Sequence, residues 1–372
     1  MRKITDVKDL RGKYVLLRSS LNLPLNKDGS IRNKFRLIKA LPTMRYLHEA
    51  GAKTIIISHI GRDPKASSKA VFSTLEKYLP VQWGGSIATE GFRQRRALMS
   101  NGDLLMAENL RQHQGEKSND IKFINLLASM ADIYVNDAFA VAHRDHASIL
   151  GVPLKMDSYT GITFYDEVTE LKKAMTPQKP SLFILGGSKF DTKIPLVKKY
   201  LDLYDKVFVG GALANDIFKL KGYEVGKSLV SDNLLLDEEI INNDKLLLPI
   251  DVVAVGHEGK RVCVPEAVLP TEKILDCGPA TIEMLATYIE AAKTILWNGP
   301  VGAYEMGYVQ GTEIIARHIA ASEAFSVIGG GDTLAAVEKL NIYDLFGFVS
   351  IAGGAMLAFL ENGNLPAVKI LE

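Results

Sequence analysis

Residues 34–62 read KFRLIKALPTMRYLHEAGAKTIIISHIGR, and the change of rhythm inside this stretch decides the fold class. Ile38, Leu41, Met44 and Leu47 recur about every 3.6 residues, which predicts a helix over 34–50 with one apolar face. Gly51 stands where that helix should stop, because glycine takes the left-handed conformation of a helix C-terminus without strain. Thr54–Ser58 (TIIIS) is then a short β-branched run with no polar alternation, as expected of a strand covered on both faces. It runs out into His59-Ile60-Gly61-Arg62, a polar loop at the carboxyl end of the strand.

The alternation continues in both directions. Tyr14–Arg18 (YVLLR) precedes the helix as a strand. Downstream, further apolar runs fall at Asp103–Ala107, Asp132–Val135, Ser181–Leu185, Lys206–Val209, Leu246–Val255, Thr294–Trp297, Ala324–Ile328 and Phe348–Ile351, with helical stretches between most of them. Buried strands separated by helices imply parallel sheets covered on both faces. One sheet of about a dozen strands would be unusual. The expected architecture is therefore α/β, with two doubly wound (Rossmann-like) parallel-sheet domains facing each other across a cleft and joined by a hinge. The break is placed at Met175-Thr-Pro-Gln-Lys-Pro180, where two prolines end the helical pattern of 161–174, giving domains 1–172 and 178–361.

Composition narrows the function. Of the 372 residues 47% are hydrophobic, and 44 Lys and Arg face 43 Asp and Glu, so a formal net charge of +1 argues against nucleic acid as a partner. Cys263 and Cys277 are the only cysteines, too few for a disulfide framework or a soft metal site. The opening residues lack the apolar core of a signal peptide, and no stretch of about 18 apolar residues could span a bilayer. A cytoplasmic globular protein is expected.

Ligands of open parallel sheets bind beyond the carboxyl ends of the strands, and there the two halves differ. The first half is basic: Arg18 and Asn22, then His59 and Arg62, then Arg111, then His143 and Arg144, with Arg36 opening the first helix. Guanidinium forks match carboxylate and phosphate oxygens, so several at corresponding positions suggest a small, multiply charged anion. Any one of them alone is as readily a surface salt-bridge residue, and His143 and His146 could simply pack or cap. The second half is glycine-rich: Gly186-Gly187-Ser188-Lys189, Gly210-Gly211, Asn298-Gly299-Pro300, Gly329-Gly330-Gly331-Asp332-Thr333 and Gly353-Gly354. Glycine lets backbone approach phosphate oxygens, and each following helix offers free N–H groups, although helix–sheet packing favours glycine as well. Lys189 and Lys193 lie four apart and could share a helical face. Asp332 is the candidate carboxylate for Mg²⁺, with a solvated helix cap as its alternative. The run 222–228 (GYEVGKS) is one residue short of a P-loop and does not follow a strand directly. A basic domain for a small anion and a glycine-rich one for a magnesium nucleotide together suggest a phosphotransferase.

At this level of detail the chain resembles the phosphoglycerate kinase family, from about Val15 to Leu371. The resemblance rests on LPTMRYLHEAGAKTIIISHIGR, ENLRQHQGEK, YVNDAFAVAHRDHAS, LGGSKFDTK, VGKSL, ILWNGPVGAYE, GTEIIA, AFSVIGGGDTLAA and LPAV, all in order. It implies reversible phosphoryl transfer between ATP and 3-phosphoglycerate, giving ADP and 1,3-bisphosphoglycerate, with Mg²⁺. By motif, Arg18, Ser20, Asn22, Arg36, His59, Ile60, Gly61, Arg62, Arg111 and Arg144 would hold the phosphoglycerate. Gly186, Gly187, Lys189, Lys193, Gly210, Gly211, Asn298, Pro300, Glu305, Gly330, Gly331, Asp332 and Thr333 would hold the nucleotide, with Asp332 near the metal. Arg36, Lys189, Lys193, Gly353 and Gly354 would act on the phosphoryl group in flight. The resemblance also implies a tail, 362–372, that returns to the first domain, and a monomer with no membrane or nucleic-acid partner is expected.

The departures are specific. The family reads R-x-D-x-N where this chain has Arg18-Ser19-Ser20-Leu21-Asn22, so Ser20 replaces a carboxylate. The family's S-T-G-G-G-A becomes Ser350-Ile351-Ala352-Gly353-Gly354-Ala355, and Ala140, Ala212 and Ala358 replace a usual Gly, Gly and Glu. Two rivals to an active kinase follow: a nucleotide-binding relative acting as scaffold or regulator, or a kinase for a related phosphorylated acid.

Overall fold

The computed structural model describes residues 1–26, 28–188, 190–232 and 238–372, with residues 190–192 described as backbone only. Contacts divide the chain into two compact units, Met1–Thr169 with Asn364–Glu372, and Glu170–Gly363. The division falls inside the helix Ile162–Met175, ahead of the two prolines. Its last turn is tied to the second unit: the Tyr204 hydroxyl donates to the Ala174 carbonyl at 2.7 Å, and the Lys173 ammonium lies 5.6 Å from the centre of the Phe325 ring.

The first unit holds β1 (Tyr14–Ser19), β2 (Lys53–Ile57), β3 (Val81–Gly85), β4 (Leu104–Ala107), β5 (Ile133–Asp137) and β6 (Ser158–Thr160) in one sheet of order β3-β4-β2-β1-β5-β6. Every pair is parallel, and Arg18 of β1 stands level with Ile57 of β2 and Asn136 of β5, so three strand ends open side by side. Strand periodicity feeds two cores. Val15, Leu17, Ile56, Leu104 and Met106 pack on one face with Leu37, Leu41, Met44 and Leu47, while Leu16, Ile55, Ile57 and Leu105 pack on the other with Phe92, Phe123 and Leu127. Ile38, expected on the apolar face of the first helix, is 43% exposed, and Leu37 takes its place in the core. The edge strands β3 and β6 escape the sequence pattern because each is short and only partly covered.

The second unit pairs β7 (Ser181–Leu185), β8 (Lys206–Val209), β9 (Leu246–Leu247), β13 (Thr294–Asn298), β14 (Phe325–Gly329) and β15 (Phe348–Val349) in a parallel sheet of order β15-β14-β13-β7-β8-β9. The expectation of two parallel-sheet α/β units is met. One element differs: the run Leu246–Val255 is two strands, with Pro249 between them, and only β9 joins the parallel sheet. The rest, β10 (Val252–Gly256), pairs antiparallel with β11 (Gly259–Cys263) and β12 (Lys273–Cys277). Sequence reading passes over β11 because its GKRVC side chains are mostly exposed.

Candidate active site

In the first unit the polar strand ends are stitched together before any ligand is considered. The Ser58 hydroxyl accepts from the Leu21 amide at 3.1 Å and donates to the Ser19 carbonyl at 3.0 Å. The Asn22 side chain accepts from the Gly61 amide at 2.9 Å, and the Asn22 backbone carbonyl accepts from the Arg36 guanidinium at 3.0 Å. Asn109 exchanges bonds with both backbone groups of Ile60 and takes the Arg111 amide at 3.1 Å, while the Arg111 guanidinium donates to the Gly61 carbonyl. Arg62 and Arg144 are exposed, Arg36 is half-buried, and Ser20 is buried.

Arg18, expected among the groups that touch the ligand, is fully buried. Its Nε donates to Ser148 Oγ at 2.9 Å, one terminal nitrogen to the Ser19 carbonyl at 2.6 Å, and the other to His59 Nδ1 at 2.7 Å. Because Arg18 can only donate, Nδ1 of His59 must accept, which leaves the ring proton on Nε2. Burial, reinforced by the charges of Arg18, Arg111 and Arg144, drives the His59 pKa far below its usual value and keeps the ring neutral. Burial and the same arginines bring His146 down to about 4. The counter-charge is Glu116, buried beneath the cluster, which accepts from the Ser148 hydroxyl at 2.7 Å and the Ser148 amide at 3.0 Å. Burial raises its pKa although Arg18 pulls the other way. Arg111 lies within electrostatic reach of Arg18, Arg62 and Arg144, and burial followed by these like charges lowers its pKa. Such crowding of cations is relieved by a multiply charged anion.

In the second unit the glycines separate into two kinds. Gly186 and Gly299 are fixed by packing. The Gly186 amide donates to the Asn298 carbonyl and the Gly187 amide to the Pro300 carbonyl, each at 2.9 Å, and a Cβ on either Gly186 or Gly299 would fall on the other loop's backbone. Gly331, Gly353 and Gly354 are the reverse case: among the described residues a Cβ at any of them would meet nothing within 4 Å. Packing does not require glycine there, yet Gly331 and Gly353 are the first residues of the helices Gly331–Leu340 and Gly353–Asn362. Their open backbone leaves the N–H groups of two helix N-termini accessible to an anion.

A cavity of about 610 Å³ opens beside these loops, with Gly187, Gly211 and Pro300 in its wall, Glu305 and Asp332 exposed at its margin, and Phe218, Leu229, Val230 and Ile274 supplying apolar surface. Of the residues expected to hold a nucleotide, Gly186, Lys193, Gly210, Asn298, Gly330, Gly331 and Thr333 do not line it. Lys193 is buried and its ammonium donates to the Gly186 carbonyl. Thr333 is buried with its hydroxyl accepting from the Gly299 amide at 2.9 Å, so it links two loops. Lys189 lies outside the described residues. Lys227 and Ser228 of the P-loop-like run do line the cavity, although the segment joins β12 through a bridge from Gly226 to Lys273 and follows no strand. Sequence reasoning missed Asn215, Phe218 and Asp276. The first two sit on the helix Ala212–Leu220, where the polar pair Asn215-Asp216 amid Leu213, Ala214, Ile217 and Phe218 was the available signal. Asp276, at the end of β12, accepts the amides of Gly311 and Cys277 at 3.0 Å, and burial pushes its carboxyl up to about 6.

A basic, anion-seeking array in one parallel-sheet unit and a glycine-looped cavity in another define a phosphotransferase of the two-unit α/β class. The chain belongs to the phosphoglycerate kinase family, whose family model, "Phosphoglycerate kinase", matches residues 4–363. It is 38% identical over 385 aligned positions to the phosphoglycerate kinase of Aquifex aeolicus, covering 98% of this chain and 96% of that one. The Thermus thermophilus enzyme is also 38% identical, over the whole of both chains. Among solved structures, phosphoglycerate kinase from Coxiella burnetii aligns with a TM-score of 0.84 at 36% identity, covering 99% of this chain and 98% of that one. The Pyrococcus horikoshii structure aligns with a TM-score of 0.88 at 30% identity, covering 100% and 98%.

Proposed function

We propose that the chain catalyses reversible phosphoryl transfer between ATP and 3-phosphoglycerate, yielding ADP and 1,3-bisphosphoglycerate. In the forward direction a carboxylate oxygen of 3-phosphoglycerate attacks the terminal phosphorus of ATP. The bond from that phosphorus to the bridging oxygen breaks, and its electron pair leaves on ADP. The open glycines at the two helix starts carry this reading, since among the described residues no atom crowds a Cβ at 331, 353 or 354, and the close approach of a phosphate to the backbone favours glycine there.

Arg36, Arg62, Arg111 and Arg144 hold the charged ends of the acid, with Asn22, Ser20 and the His59–Arg62 loop shaping the pocket between them. Burial, with the charge of Arg18 beside it, keeps His59 neutral, and the Arg18 bond to Nδ1 leaves Nε2–H free to donate. On the donor side the cavity takes the nucleoside, Lys193 neutralises phosphate charge, and the Gly353 and Gly354 amides receive oxygens of the transferring group. Asp332 suits Mg²⁺: it is an exposed carboxylate on the cavity margin, and among the described residues no three His, Cys, Asp or Glu side chains gather into a protein-only metal site. That fits an ion bound mostly by phosphate and water, whose chemistry is to neutralise charge on the nucleotide's oxygens. A cytoplasmic monomer completes the reading.

A coupled assay with ATP, Mg²⁺ and 3-phosphoglycerate tests it. Turnover that needs all three supports the proposal. Nucleotide binding by calorimetry without turnover would replace it with a non-catalytic relative.

A further inference from the structure

Asn-Gly pairs occur in the chain at 101–102, 298–299 and 362–363, and the fold treats them differently. In such a pair the backbone nitrogen is well placed to attack the preceding side chain, because glycine has no Cβ to shield it or to restrict φ. At two of the pairs that nitrogen is engaged. The Gly299 amide donates to the Thr333 hydroxyl at 2.9 Å, and Asn298 is only 2% exposed. The Gly363 amide donates to the Phe359 carbonyl at 2.8 Å, and the exposed Asn362 side chain donates to the Ala358 carbonyl at 2.9 Å. Among the described residues no hydrogen bond holds the Gly102 amide or the Asn101 side chain, and Asn101 is exposed.

The turn around Asn101 is closed without the peptide that joins the pair. The Asp103 amide donates to the Ser100 carbonyl at 3.1 Å, and the Ser100 amide donates to the Asp103 carboxylate at 2.7 Å. His48 Nδ1 donates at 2.6 Å to the Gly102 carbonyl, which belongs to the next peptide. Gly102 stands at φ +89°, as the third residue of a type II turn does. Type I and type II turns differ by rotation of the central peptide, so the Gly102 nitrogen can swing past the Asn101 side chain while the closing bond stays in place.

We infer that Asn101 is a site of spontaneous covalent modification: deamidation through a cyclic imide, with water as the only co-reactant. The Gly102 amide gives its proton to solvent, and its nitrogen attacks Cγ of Asn101. The new C–N bond forms, the bond from Cγ to Nδ2 breaks, and Nδ2 leaves as ammonia with a proton from solvent. Water then adds to one of the two imide carbonyls and opens the ring. Opening at Cγ leaves aspartate on an unchanged main chain. Opening at the backbone carbonyl leaves isoaspartate, with the chain routed through the side-chain carbon. Nothing is oxidised or reduced, and either product carries a negative charge that asparagine lacks. The isoaspartyl form places its extra carbon just ahead of Asp103, whose carbonyl accepts the Thr54 amide at 2.9 Å where β4 begins to pair with β2.

The test incubates the full chain in mildly alkaline buffer, folded and in urea, and follows the Asn-Gly peptides by mass spectrometry after digestion. In the folded chain Asn101 should convert first, about three- to tenfold or more ahead of Asn362, the range of one hydrogen bond, and further ahead of Asn298. In urea the rates should converge, because the bonds that separate the pairs are gone. Asn101→Gln should abolish the early acidic form on isoelectric focusing, since the longer side chain closes a larger ring far less readily. Conversion of Asn362 or Asn298 as fast as Asn101 in the folded chain would overturn the inference. So would an Asn101 that stays intact when folded while the unfolded chain converts, because the turn would then be protecting it. An early acidic form that persists in Asn101→Gln would place the modification elsewhere and overturn it as well. None of these readouts depends on nucleotide or acid binding, so each stands whatever the coupled assay returns.

Discussion

Ser20 concentrates the difference between this chain and the family pattern into one side chain. It follows directly after β1, buried at 4% exposure, where a carboxylate would accept from the hydroxyl of 3-phosphoglycerate. The arginines proposed to hold the charged ends of the acid are present without it. What the serine weakens is recognition of the middle of the molecule. Hydrogen bonds to charged groups contribute about 1.5–3 kcal/mol and neutral ones about 0.5–1.5, a difference of about five- to thirtyfold in rate or affinity. Ser20→Asp is therefore expected to raise kcat/KM for 3-phosphoglycerate by about that factor, with the KM for ATP unchanged. Steady-state kinetics with each substrate varied in turn will show it. A large loss instead would mean that the pocket has been rebuilt around serine, and the acid it prefers should then be sought among related phosphorylated acids.

At the scale of elements, loops and helix starts carry the chemistry, and their glycines can be told apart by substitution. Gly331→Ala adds a methyl group into open space at a helix start, so its melting temperature should hold or rise slightly while the KM for ATP increases about tenfold or more as a phosphate contact is blocked. Gly299→Ala should fail in the opposite way, with φ at +94° and its Cβ driven onto the Gly186 carbonyl, so that thermal stability drops before activity can be measured. Sequence alone gave no means of making this distinction, because both positions read as glycine after a strand. The central strands were legible because both of their faces are buried. The edges β3 and β6 and the antiparallel β11 and β12 were not, and β10 was read as one run with β9, because exposure and a proline break the apolar pattern. The same limit hid Asp276, whose role depends on β12 meeting the Gly311 amide from a distant helix start. Its folded pKa of about 6 lies above the ordinary 3.8, so the native state binds more protons between pH 4 and 6 and loses stability as pH rises through that window. Asp276→Asn lacks this dependence. Measured by urea unfolding, it should gain about 2 kcal/mol on the parent between pH 4.5 and 7 and run parallel above that. Parallel curves throughout would show that the carboxyl is not protonated in the folded protein.

For the molecule as a whole, the order of the chain and the order of the units do not coincide: the last residues, Asn364–Glu372, belong to the first unit although the second is completed just before them. The segment is bound by backbone and by burial. The Ala367 amide donates to the Ala142 carbonyl at 3.1 Å and the Arg2 amide to the Leu371 carbonyl at 3.4 Å, while Leu365, Val368 and Leu371 are all at most 3% exposed. Burying three such side chains contributes about 5–9 kcal/mol as an upper bound, against the 5–15 kcal/mol or so that holds a typical domain together. Ala142 directly precedes His143 and Arg144, so the tail also braces the loop that carries one of the arginines proposed to hold the acid. Truncation before Asn364 should therefore unfold or loosen the first unit selectively. Calorimetry on the truncated chain is expected to find 3-phosphoglycerate binding lost and ADP binding retained, because the residues assigned to the nucleotide all lie between Gly186 and Thr333. Hydrogen exchange should rise in 1–169 and stay level in 170–363. Parent-like affinity for 3-phosphoglycerate would show that the tail is ornamental to the first unit. Loss of both ligands would show that the second unit cannot stand without the first, and either outcome would require the division of labour between the units to be redrawn.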